Sequence, residues 1–180
     1  AERLIMIYNT ILDAIGHTPM IKLNKLSNPD DAQILVKYEG VNIGGSIKTR
    51  TAYNILKCAE ESGLIHENTI IVEATSGNHG IGIALVGAVK GYKVKIIMPD
   101  SVSEERRKLV QNYGAEVILI HDDGDIGACI AECMATAERM AKENPNVYIP
   151  GQFENPNNPK VHIYHTAAEI LEQVGGDIDG

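Results

Sequence analysis

Lys48 lies in the stretch Asn42-Ile43-Gly44-Gly45-Ser46-Ile47-Lys48-Thr49-Arg50, which runs from a short β-branched segment into one with helical spacing. A lysine in the first turn of a helix faces exposed amides and the positive end of the dipole, surroundings that favour an anion and disfavour an ammonium. An amine that sheds its proton is a nucleophile for carbonyls. A surface lysine near a helix start is the plain alternative. A phosphate loop is a further one, but Gly44 and Gly45 lack the Walker spacing ahead of Lys48.

The second segment with chemistry in it is Thr75-Ser76-Gly77-Asn78-His79-Gly80, between an apolar β-branched run and the next helical pattern. Short hydroxyls, glycines and consecutive amide donors at a helix start make a seat for a carboxylate or phosphate. Loops that leave the strands of a parallel sheet are where such ligands bind. A plain tight turn is the alternative. Gly80-Ile81-Gly82 does not extend to G-x-G-x-x-G, so a dinucleotide fingerprint is absent. An activated amine beside an anion cradle suits an amino acid held as an imine.

Both segments need elements to position them. Apolar runs rich in Ile and Val at 34–38, 70–73, 94–98, 117–121 and 147–149 alternate with helical patterns at 48–61, 80–90, 104–113, 128–142 and 162–173. That alternation predicts an α/β fold, a three-layer parallel sheet flanked by crossover helices. Gly63, Gly91 and Gly114 stand where left-handed helix ends are expected, and Ser103 precedes a first turn carrying Glu104 and Glu105. Asn and Pro cluster at 150–159, which reads as a crossing between domains. The tail from Gly175 to Gly180 is turn-like and stops where another strand is expected, as in part of a longer chain.

Composition narrows the class further. The 180 residues are 44% hydrophobic and 22% charged, which describes a soluble globular protein of one well-cored domain. With 16 Lys+Arg against 24 Asp+Glu, the formal charge of -8 repels a phosphate backbone, so no nucleic acid partner is expected. The apolar patch at 4–8 is too short for a signal core or a span, so no membrane is expected. The 3 cysteines, Cys58, Cys129 and Cys133, form no dense disulfide framework, and a reducing cytoplasm is the simplest location.

At this point the sequence resembles a known group. Asn42 to Arg50 looks like the Schiff-base segment of the cysteine synthase (O-acetylserine sulfhydrylase) and cystathionine β-synthase family, pyridoxal 5'-phosphate (PLP) enzymes of the tryptophan synthase β fold, also called PLP fold type II. The segment from Thr75 to Gly80 is similar to that family's substrate loop. The likeness continues, in order, through Ile15-Gly16-His17-Thr18-Pro19-Met20, Met98-Pro99-Asp100, Ser103-Glu104-Glu105-Arg106-Arg107, Gly114-Ala115-Glu116 and Gly151-Gln152-Phe153-Glu154-Asn155-Pro156.

The resemblance implies that Lys48 forms the Schiff base with PLP and that Asn78 hydrogen-bonds the cofactor's phenolic oxygen. Thr75, Ser76, Gly77, Asn78, His79 and Gln152 would bind the substrate by side chains or loop amides. PLP would be the electron sink and Lys48, once displaced, the base for the α-proton. The implied reaction is β-replacement, with cysteine synthesis from O-acetylserine and sulfide first. A sulfide-releasing reaction on cysteine and a serine or threonine dehydratase are the alternatives. The implied partners are a small amino acid, sulfide or a thiol, and a second copy in a homodimer. The implied organisation is an N-terminal segment over 1–40, a small α/β domain over 41–150, and a crossing segment with the first helix of a large domain over 151–180.

Three positions depart from the family pattern: Ile43 in place of Pro, Thr49 in place of Asp, and His79 where the cysteine synthases carry Thr. The family's phosphate loop and its hydroxyl partner for the pyridine nitrogen are expected beyond Gly180. From another class, a noncatalytic α/β module could use Thr75 to Gly80 to hold a small anion. A Rossmann-like nucleotide domain shares the alternation but lacks its glycines. No metal site is expected: Cys129 with Cys133, His162 with His165, and Asp122-Asp123-Gly124-Asp125 all lack the ligand spacing of a known motif.

Overall fold

The computed structural model describes residues 7–25, 28, 31–176 and 178. Residues 4–6 of the early apolar patch, and Asp177, Asp179 and Gly180 of the tail, lie outside it. The main sheet is parallel and four-stranded, with strands β3 (Ile70–Ala74), β4 (Lys93–Pro99), β5 (Glu116–Ile120) and β6 (Val147–Tyr148) in the order β5-β4-β3-β6. Helix α1 (Lys48–Glu61) precedes β3, and α2 (Asn78–Lys90), α3 (Glu104–Asn112) and α4 (Ile126–Glu143) fill the connections between the strands.

Side chains that alternate along β3 separate the two faces of the sheet. Ile71 and Ile96 join Leu56, Ile83, Ala84 and Val86 in one core, beneath α1 and α2. Val72 and Ile97 join Cys129, Cys133 and Ala137 of α4 in the other. These are the three layers expected. Gly63, Gly91 and Gly114 have φ of 72°, 80° and 85°, the left-handed geometry that ends a helix without a Cβ clash. Ser103 stands at the N-cap of α3 but its hydroxyl makes no capping bond. It bonds the Glu105 carboxyl instead and, after that residue's own main-chain N–H, helps to hold the group below its usual range.

Two expectations need correction. The run at 34–38 is not a strand of the parallel sheet: β2 (Leu35–Lys37) pairs antiparallel with β1 (Met20–Lys22) in a separate two-stranded ribbon. Leu35 and Val36 are exposed there, so the run lacks the cover that its Ile and Val content predicts. The last helix also differs. It begins inside the Asn/Pro cluster as α5 (Asn157–Val161), passes through a π-helical turn (His162–Thr166), and continues as α6 (Ala167–Val174). Pro159 is tolerated because it sits within the first turn, where amides lack intrahelical acceptors.

Candidate active site

Lys48 is the first residue of α1 and is half-buried. Its main-chain N–H donates to Ser46 Oγ at 3.2 Å. Packing of α1 on α2, not neighbouring strands of one sheet, brings it toward the 75–80 turn. The contact is made possible at Gly82, where an added Cβ would stand 3.0 Å from Ala52 Cβ, 3.1 Å from the Lys48 carbonyl oxygen and 3.2 Å from Thr49 Cα. Gly82 lies one turn into the helix that the 75–80 segment opens. Lys48 and the candidate cradle are therefore held on adjoining helix starts.

The turn itself leaves β3 by its ladder. Thr75 N–H donates to Ile97 O at 3.0 Å, Gly77 N–H to Thr75 Oγ1 at 3.4 Å and Gly80 N–H to Gly77 O at 3.1 Å. Arg106 of α3 donates to the Ser76 carbonyl at 3.3 Å, fixing the outer side. Asn78 is exposed and opens α2, so the amides of Asn78 and His79 belong to the first turn, which has no intrahelical acceptors. A Cβ at Gly77, or at Gly45 ahead of Lys48, would meet no heavy atom within 4 Å. Open space thus adjoins both turns.

His79 points the other way. Its ring is 1% exposed, and Nε2 lies 3.4 Å from Oε1 of Glu73, itself 3% exposed. An ionisable ring lining the cradle is not what this geometry provides; the cradle side of residue 79 is its amide. Glu73 accepts the main-chain N–H groups of Gly151 at 2.9 Å and Gln152 at 3.3 Å. The Gln152 carbonyl accepts Asn158 Nδ2 at 2.8 Å, and Asn158 Oδ1 accepts the Thr51 hydroxyl at 3.1 Å. Lys48's helix, the 75–80 turn and Gln152 are thereby connected through buried and half-buried polar groups. Glu73 and Asn158 carry that connection, and sequence reasoning missed both. The only available signal was a carboxylate inside the apolar run Ile70-Ile71-Val72-Glu73.

A second polar cluster anchors α1. Arg50 is 3% exposed and pairs with Glu39 at 2.9 Å and with Glu169 at 2.6 and 2.7 Å, a two-pronged contact. Lys37 Nζ also reaches Glu169, at 2.7 Å. Burial opposes ionisation of Glu169, but hydrogen bonds from Arg50 and Lys37 outweigh it and bring its carboxyl down to about 2. Glu39 is lowered in the same way, against burial, by Arg50 and Thr18. His162, near this cluster, is held below its usual range by burial and by the charges of Arg50 and Lys48.

Comparison with known proteins places the chain in a family. The model of the family described as "Pyridoxal-phosphate dependent enzyme" matches residues 11–180. A cysteine synthase from Flavobacterium sp. is 45% identical over 174 residues, covering 97% of this chain and 55% of that protein. The crystal structure of a hydrogen sulfide-producing enzyme from Fusobacterium nucleatum superposes with a TM-score of 0.89 at 44% identity, covering 98% of this chain and 56% of that one. Cysteine synthase from Entamoeba histolytica gives a TM-score of 0.91 at 36% identity, covering 99% and 53%. The chain spans about half the length of these relatives, and the solved ones share its fold, PLP fold type II. On this evidence the chain belongs to the pyridoxal-phosphate dependent enzyme family.

Proposed function

We propose that the full-length protein carries out PLP-dependent β-replacement on an amino acid, with cysteine synthesis from O-acetylserine and sulfide as the first reading. The observation that carries it is the packing of the Lys48 helix start against the helix opened by Thr75 to Gly80, with Gln152 tied in through Glu73. The residues present fit PLP on this chain's side of a site: an amine, the exposed Asn78 amide, and open space beside Gly45 and Gly77. When bound, the cofactor supplies an electron sink for charge at the substrate α-carbon.

This chain's residues supply the rest. Lys48 Nζ would hold the cofactor through its aldehyde carbon, and its amine would serve as the base for the α-proton, a task that needs an amine within hydrogen-bond reach of that proton. Asn78 Nδ2 would donate to the cofactor's phenolic oxygen. Thr75 and Ser76 hydroxyls, the Gly77, Asn78 and His79 amides, and Gln152 orient the substrate carboxylate against the positive end of α2. Residues 41–150 form the small domain in this reading, with 1–40 as the preceding segment and 151–180 as the crossing. The working assembly is a cytoplasmic homodimer whose partners are the amino acid and sulfide or a thiol.

A second reading, sulfide release from cysteine, is favoured by the similarity to the hydrogen sulfide-producing enzyme. Product analysis separates the two: O-acetylserine plus sulfide yields cysteine and acetate under the first, while cysteine alone yields sulfide under the second. Borohydride should trap PLP on Lys48 in the full-length protein, and Lys48→Ala should remove both the trapped adduct and the imine absorption. An unchanged spectrum in that variant refutes the reading. Binding of a small anion with no trapped adduct would leave a noncatalytic module.

A further inference from the structure

We propose that Glu73 is a positioning residue which joins the two arms of the candidate cradle, the 75–80 turn and Gln152, and that His79 is its second partner, not a substrate ligand through its ring. The proposal rests on the function proposed above and assigns roles within the same site. A carboxylate buried to 3% exposure is costly unless its lone pairs are satisfied. Glu73 meets that need with main-chain donors from a distant segment, Gly151 and Gln152, 78 and 79 residues away in sequence.

The two oxygens are not equivalent. Oε2 takes the Gly151 N–H at 2.9 Å, whereas Oε1 is approached by the Gln152 N–H at 3.3 Å and by His79 Nε2 at 3.4 Å. Both approaches to Oε1 are longer than the usual ~2.9–3.0 Å, so the two groups share one oxygen and neither contact is at full strength. Among the described residues neither ring nitrogen of His79 has a hydrogen-bond partner. A neutral imidazole carries one N–H, and a buried one left unmade is costly. The nearest remedy is Glu73 Oε1, a few tenths of an ångström away.

The geometry of α2 turns this shared oxygen into coupling. Residue 79 presents its amide to the cradle and its ring to Glu73, so any ligand that draws the first turn of α2 also moves the ring. A ring that gains Oε1 weakens the hold on Gln152 N–H, and one that retreats strengthens it. The two arms then respond to a ligand as one unit.

The test uses the cofactor-loaded full-length protein with L-alanine, an amino acid without a β-leaving group, and reads binding by cofactor absorbance. Glu73→Gln keeps an acceptor but loses the charge, and should weaken L-alanine binding about tenfold while the resting spectrum stays unchanged. Adding His79→Phe to Glu73→Gln should cost less than about twofold more, because both act through one contact. Glu73→Gln binding as tightly as the parent overturns the proposal, and so do losses that multiply, which would mean that the ring meets the ligand itself. Should Glu73→Gln not fold, ¹⁵N signals of the His79 ring in the parent decide: L-alanine should shift them, and unmoved signals overturn the coupling. A parent protein that binds no L-alanine refutes the cradle itself, a different failure from a parent that binds and a Glu73→Gln variant that binds equally.

Discussion

Gly82 shows how one missing methyl group brings two reactive segments together. With the Lys48 carbonyl 3.1 Å and Ala52 Cβ 3.0 Å from the place of an added Cβ, the main chains of α1 and α2 touch where any larger residue would part them. Neither neighbour is the free end of a flexible side chain. Gly82→Ala should therefore destabilise by about 1–3 kcal/mol through overpacking and push Lys48 away from the 75–80 turn. Urea unfolding and the rate of borohydride trapping check both halves. Unchanged stability with an unchanged rate would mean that α1 tolerates the shift and that Gly82 does not set the spacing.

Among the elements, α1 carries the site and is itself held by the cluster of Arg50, Glu39, Glu169 and Lys37. The stability this cluster adds has a definite pH window. Glu169 titrates at about 2 in the folded chain against an ordinary 4.5, so the contribution is fully present above about 4.5 and is lost as pH falls toward 2. Glu39 moves in the same direction. Glu169→Gln should cost about 2 kcal/mol at pH 7, less than a fully buried broken pair because Glu39 still faces Arg50. The gap from the parent should narrow at pH 3, and urea midpoints at the two pH values measure it. A gap independent of pH would show that the loss comes from packing. The elements were also the most legible level of the sequence: the helical pattern at 48–61 and the β-branched runs at 70–73 and 94–98 coincide with α1, β3 and β4 within one residue at most. What was illegible has physical causes. Local pattern cannot say which sheet a run such as 34–38 joins. Residues 79–87 are all buried, so α2 has no polar face from which the direction of His79 could be read. Glu73 holds Gln152 through main-chain amides, which leave no side-chain signature.

At the scale of the whole molecule, the two cores lie on opposite faces of one sheet, and the cysteines of α4 report on whether that sheet is closed. Cys129 and Cys133 are 5% and 2% exposed and pack against Val72 and Ile97. Burial pushes both thiols up, Cys133 to about 11, so the reactive thiolate is scarce as well as shielded. Cys58, on α1, is only half-buried. A disulfide reagent at pH 8 should thus modify Cys58 first, and reach the α4 pair only at the rate at which the α4 layer opens. Cys133 also lines a cavity of about 80 Å³ together with Thr75 and Ser76, the cradle residues. A carboxylate bound in the cradle should stabilise that corner and slow the modification of Cys133 in proportion to its occupancy, while Cys58 reacts as before. Peptide mapping after timed labelling, with and without L-alanine, reads both rates. Cys133 reacting as fast as Cys58 would mean that the α4 layer opens without resistance. A Cys133 rate unmoved by a ligand known to bind would separate the cradle from the second core, and opening there would then be independent of the site.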